Sequence, residues 1–162
     1  MTRSPNKKDV QHDPTELQAL LTKLFASQNL AIIATTQDQQ PYNNLVAFAA
    51  TDDLKHLVFA TPRATRKFAI LSKNPKVAMT IDNRQNTTKD FSEAVAVMAI
   101  GKAEEVTGPE KVALLATYVA KHPGLTTFVT SPSCALIRID VAKYDIVRQF
   151  QNVVELHMAP GS

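Results

Sequence analysis

The chain has 162 residues, 44% hydrophobic and 20% charged, with no Trp and only 6% aromatics, which suits one globular domain with an aliphatic core. Net charge is +3, and Arg3, Lys7, Lys8 and Asp9 place most of it in the first twelve residues, so no basic stripe with interleaved aromatics points to nucleic acid. The lone Cys134 excludes a disulfide framework within the chain, no apolar run reaches bilayer length, and the polar N-terminus lacks a secretory apolar segment, so a cytoplasmic protein is expected.

Residues 1–12 read as a disordered basic tail, and 13–158 as a single domain. Asp13-Pro14-Thr15-Glu16 is a helix start, with a capping Asp, Pro at the first helical position and Glu in the first turn. Leu17, Leu20, Leu21, Leu24 and Phe25 follow at helical spacing, and Ser27-Gln28-Asn29 ends the helix. Three strands come next: Leu30 to Thr36, Pro41 to Ala50, and His56 to Thr61, which stops at Pro62. Thr65 caps a helix that carries Phe68, Ile70 and Leu71 toward a core and ends at Asn74-Pro75. Lys76 to Ile81 alternates as a half-buried strand, and Asp82 to Asp90 is a polar loop.

A long strand is expected from Ser92 to Val106, then a helix with Pro109 at its first position and Val112, Leu115, Ala116 and Val119 on its apolar face. His122-Pro123-Gly124 stops that helix. Leu125 to Thr130 is a short helix or an extended segment, Ser133 to Asp140 and Lys143 to Phe150 are two strands, and Asn152 to His157 continues the second. Closely spaced antiparallel strands of this kind make a barrel or sandwich, mainly β with peripheral helices (α+β), and not a βαβ fold.

The chemistry concentrates after the third strand. Arg63, Thr65, Arg66 and Lys67 put three cations and a hydroxyl at a helix start, where free N–H groups and the helix dipole favour an anion. The arrangement is either a solvated basic helix start or a phosphate site built from side chains. No Gly occurs before Gly101, so no Gly-rich phosphate loop is present in that part. Asn43-Asn44 is either a polar beginning to a strand or a ligand contact, and Arg84 either a solvated loop charge or an anion partner. His56 reads as exposed, His122 as a helix cap and Cys134 as a small core residue, and no ligand set at useful spacing suggests a metal.

In order along the chain, Phe59, Thr61, Thr65-Arg66-Lys67, Asn74-Pro75-Lys76-Val77 and Ile100-Gly101-Lys102-Ala103-Glu104, with Ala34-Thr35 and Pro41 upstream, resemble the pyridoxamine 5′-phosphate oxidase-like FMN-binding split barrels. The resemblance covers most of the chain from about Leu30 to Val106. It implies an antiparallel split β-barrel and a homodimer with two flavins at the subunit interface. It further implies FMN held through its phosphate by Thr61, Thr65, Arg66 and Lys67, with Ala60 as a further cofactor contact and Arg63 and Arg84 as further cations. Asn43, Asn44, Leu45 and Val46 would line the ring.

Three departures stand against the oxidase itself. Asn44 (or Asn43) replaces an Arg on the phosphate, Ala96 replaces a Gln that touches the flavin, and the C-terminus lacks the substrate-binding segment rich in Arg, His and Trp. The resemblance therefore implies a shorter relative with another substrate: an FMN-dependent oxidoreductase supplied by a reduced nicotinamide or a small molecule. The alternative it leaves open is a non-catalytic flavin, heme or deazaflavin binding protein, acting as an electron carrier or sensor.

Overall fold

The computed structural model describes residues 12–149 and 152–160; the expected tail over 1–11 and Phe150 lie outside the described residues. Helix α1 (Pro14–Ser27) begins where the sequence says it should, with Asp13 accepting the Thr15 N–H at 2.9 Å. Leu17, Leu21, Leu24 and Phe25 form its buried face. Strands β1 (Leu30–Gln37) and β2 (Gln40–Ala50) make a tight hairpin. Asp38 and Gln39 both take positive φ (49° and 65°), the twist that a two-residue hairpin turn requires.

Strand β3 (His56–Pro62) leads through a short turn into α2 (Arg66–Lys73), and β4 (Lys76–Asp82) follows. Then come α3 (Asp90–Glu93), β5 (Val95–Glu105), α4 (Glu110–Lys121), a 3₁₀ turn at Pro123–Leu125 and α5 (Thr126–Thr130). Strands β6 (Cys134–Arg148) and β7 (Asn152–His157) complete the described chain.

Among the described residues, the strands pair antiparallel in the order β3-β2-β1-β4-β5-β6-β7. A second pairing, β3 with β6, closes the first six into a barrel. Alternate residues fill its interior: Ile33, Phe48, Leu57, Phe59, Met79, Ile81, Val97 and Ile139 are all fully buried, together with Leu21 of α1. Each such side chain stabilises the fold by roughly 1.5–3 kcal/mol relative to exposure. A second, outward-facing cluster, with Val58, Ala60, Leu136 and Cys134 from the barrel wall, is covered by Leu114 and Tyr118 of α4 and Val129 of α5.

The structure corrects several expectations. The strand expected from Ser92 begins only at Val95, because Asp90 draws the preceding loop into a helical turn by accepting the Gln85 and Thr87 N–H groups. Pro109 is the cap of α4, not its first helical residue; Leu115 and Val119 pack on the barrel as expected, but the buried centre of the face is Leu114 and Tyr118, and Val112 is left 74% exposed. The two strands expected at Ser133–Asp140 and Lys143–Phe150 are one, β6. Its register against β5 shifts between Ile100 and Gly101, leaving Ala142 as a bulge. Gly101 allows this: a Cβ there would lie 2.1 Å from the Asp140 carbonyl oxygen. Asn152–His157 does not continue that strand but folds back along it as β7. His56 is half-buried, with Nδ1 lying 2.8 Å from Asp140.

One further contact fixes β2. Lys121 at the end of α4 donates to the Phe25 and Gln28 carbonyls at the end of α1, both at 2.7 Å, and lies 3.8 Å from the centre of the Phe48 ring. Next to it, buried His122 gives its Nε2 proton to the Phe48 carbonyl at 2.7 Å.

Candidate functional site

β2 pairs with β1 from Gln40 to Ala47, but with β3 only from Phe48 to Ala50. Its first half therefore has an open edge. Among the described residues, alternate backbone N–H and C=O groups there have no strand to meet on that side, and α2 begins beside them. Asn43, Asn44 and Leu45 are exposed along this stretch, and Val46 is buried. Arg66, the first residue of α2, places its guanidinium carbon 4.7 Å from the centre of the Tyr42 ring, so helix start and strand edge form one notch.

The base of the notch is a chain of hydroxyls. Thr65 donates to the Pro62 carbonyl at 2.9 Å and accepts the Phe68 N–H at 3.2 Å, capping α2. The Thr65 hydroxyl also lies 3.1 Å from that of Thr61, which is 1% exposed. The Thr35 hydroxyl, across the ladder from Tyr42, is buried with no hydrogen-bond partner among the described residues. Ala60 lies elsewhere: its side chain packs in the second cluster under α4 and α5.

The cations divide. Arg63 turns away from the notch: Nε donates to Glu105 at 2.9 Å, Nη2 also meets Glu105, and Nη1 donates to the Pro132 carbonyl at 2.7 Å. Arg66 and Lys67 have no carboxylate partner among the described residues. The first turn of α2 contains no acidic residue. Burial pushes the Lys67 ammonium below the usual lysine range, and an adjacent anion would reverse that. Two cations without a carboxylate partner at a helix N-terminus, beside the linked Thr61 and Thr65 hydroxyls, fit a phosphate group.

Arg84 is not part of this notch within one chain. It follows the far end of β4, whose level with Tyr42 is near Val77, about 16 Å back along the strand. Sequence reasoning missed Tyr42 as the seat of Arg66 and Thr35 as an orphaned donor. The open edge of β2 was also invisible, since it depends on where β3 stops pairing.

A family model described as pyridoxamine 5′-phosphate oxidase matches residues 16–148. The chain belongs to that family. Among solved structures, a heme binding protein from Mycobacterium smegmatis superposes with a TM-score of 0.77 at 16% identity, covering 91% of this chain. The chain spans only 59% of the length of that protein. A protein related to general stress protein 26 from Clostridium acetobutylicum gives a TM-score of 0.69 at 15% identity, with 91% and 97% of the two chains covered. A FAD-binding protein from Mesorhizobium loti gives 0.65 at 19%, with 79% and 90% covered. At these identities, the likeness establishes the split-barrel fold. No curated protein sequence matches the chain.

Proposed function

We propose that the protein is an FMN-binding oxidoreductase of this family, acting on a substrate other than pyridoxamine phosphate. The observation that carries the reading is the unpaired Arg66–Lys67 pair at the start of α2, set against the open edge of β2. The phosphate would lie on Arg66, Lys67 and the Thr65 turn, with Arg63 holding that turn to β5 and β6 through Glu105 and Pro132. Asn43, Asn44 and Leu45 would meet the ring mostly through backbone groups, and Val46 roots that strand in the core. Bound flavin would supply the redox chemistry; the chain's part is to hold it, orient it and present donors to its polar edge. The structure supplies a reason to prefer flavin to heme. His122 is engaged by the Phe48 carbonyl and His56 lies against Asp140 where β3 pairs with β6, so neither is placed at the notch to ligate iron.

The same reading includes a homodimer. Leu45, Ile32, Thr80 and Met98 stand in register across four strands, β2-β1-β4-β5, on the outer face of the barrel. Leu45 is 65% exposed and Met98 36%, with Leu30 beside them at 51%, an apolar row that a second copy would cover. Each notch would then be completed by the partner. Leu45→Glu is expected to yield monomers by light scattering and to lose FMN at the same time; a dimer that survives this change uses another face.

Titration with FMN tests the cofactor directly. Arg66→Ala and Lys67→Ala should each weaken binding by about 1.5–3 kcal/mol, and riboflavin, without the phosphate, should bind much more weakly than FMN. Undiminished affinity in both variants sinks the phosphate assignment. Turnover of a reduced nicotinamide by the flavin-loaded protein separates an enzyme from an electron carrier.

A further inference from the structure

Arg63 and Arg66 stand at the same turn and are held in opposite ways. Arg63 uses its donors: Nε and Nη2 meet Glu105, and Nη1 meets the Pro132 carbonyl. Arg66 is held through its face. Its guanidinium carbon sits 4.7 Å over the centre of the Tyr42 ring, and among the described residues its side chain makes no hydrogen bond and no ion pair. A guanidinium carries its N–H donors around the rim of its plane, so a ring beneath it restrains the group and leaves those donors free.

Both ends of this contact are anchored by backbone. Tyr42 is half-buried and pairs with Thr35 across the β1–β2 ladder, close to the tight turn at Asp38 and Gln39, and Pro41 beside it fixes φ. Arg66 is the first residue of α2, whose start is fixed by the Thr65 cap. What remains to be ordered is the long Arg66 side chain, which is exposed and would otherwise lose its rotamer freedom on meeting an anion. The ring supplies that order in advance. Lys67, the neighbouring cation, is half-buried and is restrained without a ring. Tyr42 also directly precedes Asn43, so the same contact ties the open edge of β2 to the start of α2.

We propose that Tyr42 is a positioning residue, whose aromatic face holds the Arg66 guanidinium in place for an incoming phosphate. This role rests on the phosphate site of the reading above and acts only through Arg66. The Tyr42 hydroxyl has no hydrogen-bond partner among the described residues, so the ring and not the hydroxyl carries the role. Its effect is confined to ligands that bear a phosphate.

The test is calorimetric titration of the full-length protein with FMN, riboflavin and inorganic phosphate. Tyr42→Leu and Tyr42→Met keep apolar bulk without an aromatic face. Either should weaken FMN and phosphate about three- to tenfold and leave riboflavin unchanged, and Tyr42→Phe should bind as the parent protein does. Added to Arg66→Ala, Tyr42→Leu should change FMN affinity by no more than about twofold, because the group it positions is already gone. Full affinity in both Tyr42→Leu and Tyr42→Met, an equal loss of riboflavin, a loss in Tyr42→Phe, or losses that multiply in the double variant each overturn the role. Failure of both variants to fold overturns it as well, by making Tyr42 a structural residue. The flavin reading fails separately. Phosphate binding with the stated dependence in a protein that does not take up FMN removes the flavin and keeps the role of Tyr42. Sensitivity to Arg66→Ala without sensitivity to Tyr42 does the reverse, and no binding of either FMN or phosphate overturns both.

Discussion

Arg138 and the Arg66–Lys67 pair show two opposite uses of positive charge on one barrel wall. Arg138, on β6, is surrounded by acid: Nη1 meets both Glu110 oxygens at 2.7 and 2.6 Å, Nη2 meets Glu104 at 3.2 Å, and Nε lies 2.8 Å from Asp140. Burial alone would lower its pKa, but Glu110 and Asp140 hold it above the ordinary arginine value. Arg66 and Lys67 have no such carboxylates, and for Lys67 burial acts unopposed. A cation kept unpaired beside an open strand edge adds nothing to stability, and this marks it as a place for something from outside. Arg63 shows how narrow the distinction is. It lies three residues from Arg66, yet Glu105 and Pro132 occupy its donors.

The contrast breaks most visibly at Arg138. Its side chain is only 17% exposed, and Arg138→Met leaves Glu104, Glu110 and Asp140 facing one another without a cation. A loss of about 2–4 kcal/mol is expected in urea unfolding, with FMN affinity unchanged. Arg66→Ala and Lys67→Ala should give the mirror image. Unfolding free energy should stay within about 0.5 kcal/mol of the parent protein while FMN binding falls. If these two variants destabilise the protein as much as Arg138→Met does, the cations are structural and the comparison fails.

Much of this was legible in the sequence, and the reasons are local. Asp13-Pro14 marks a helix start, Pro62 ends a strand, and Thr65 caps α2, because each of those residues acts on backbone groups within four positions. The joined β6 was not legible. Val141 to Lys143 breaks the alternation, and only the close approach of Gly101, forty residues earlier, shows the break to be a bulge inside one strand. The face of α4 was placed only in part: Leu115 and Val119 pack against the wall as expected, but Val112 and Ala116 are exposed, and the fully buried positions are Leu114 and Tyr118. In the notch, the three cations could be read from the sequence, but their division could not. Glu105 lies 42 positions from Arg63, and only the closed barrel brings them together.

Thr65 joins the two uses, since its hydroxyl both caps α2 and belongs to the floor of the notch. Thr65→Ala should cost about 1 kcal/mol of stability, the usual value of a lost N-cap, and should also weaken FMN because the helix start is no longer fixed. Thr65→Ser, which keeps the hydroxyl, should restore both. Recovery of stability without recovery of FMN binding would show that the threonine methyl also matters to the ligand.

The smallest effect expected is a pH dependence that separates Lys67 from Lys143. Glu155 and Asp145 raise the Lys143 pKa, whereas burial lowers that of Lys67 from the ordinary 10.5. In the window between its lowered value and 10.5, the unfolded chain holds the Lys67 proton more firmly than the folded one does. Stability of the ligand-free protein therefore gains slightly as pH rises through that window, and below it the contribution is a constant small penalty. Bound phosphate reverses the sign, because the anion favours the ammonium. FMN affinity should thus fall as pH rises through the lowered Lys67 value, with proton uptake on binding visible as a buffer-dependent calorimetric enthalpy. Lys67→Arg keeps the charge at every accessible pH and should flatten the profile, and Lys143→Arg should leave it as it was. A profile that persists in Lys67→Arg would move the titrating group elsewhere and remove Lys67 from the phosphate.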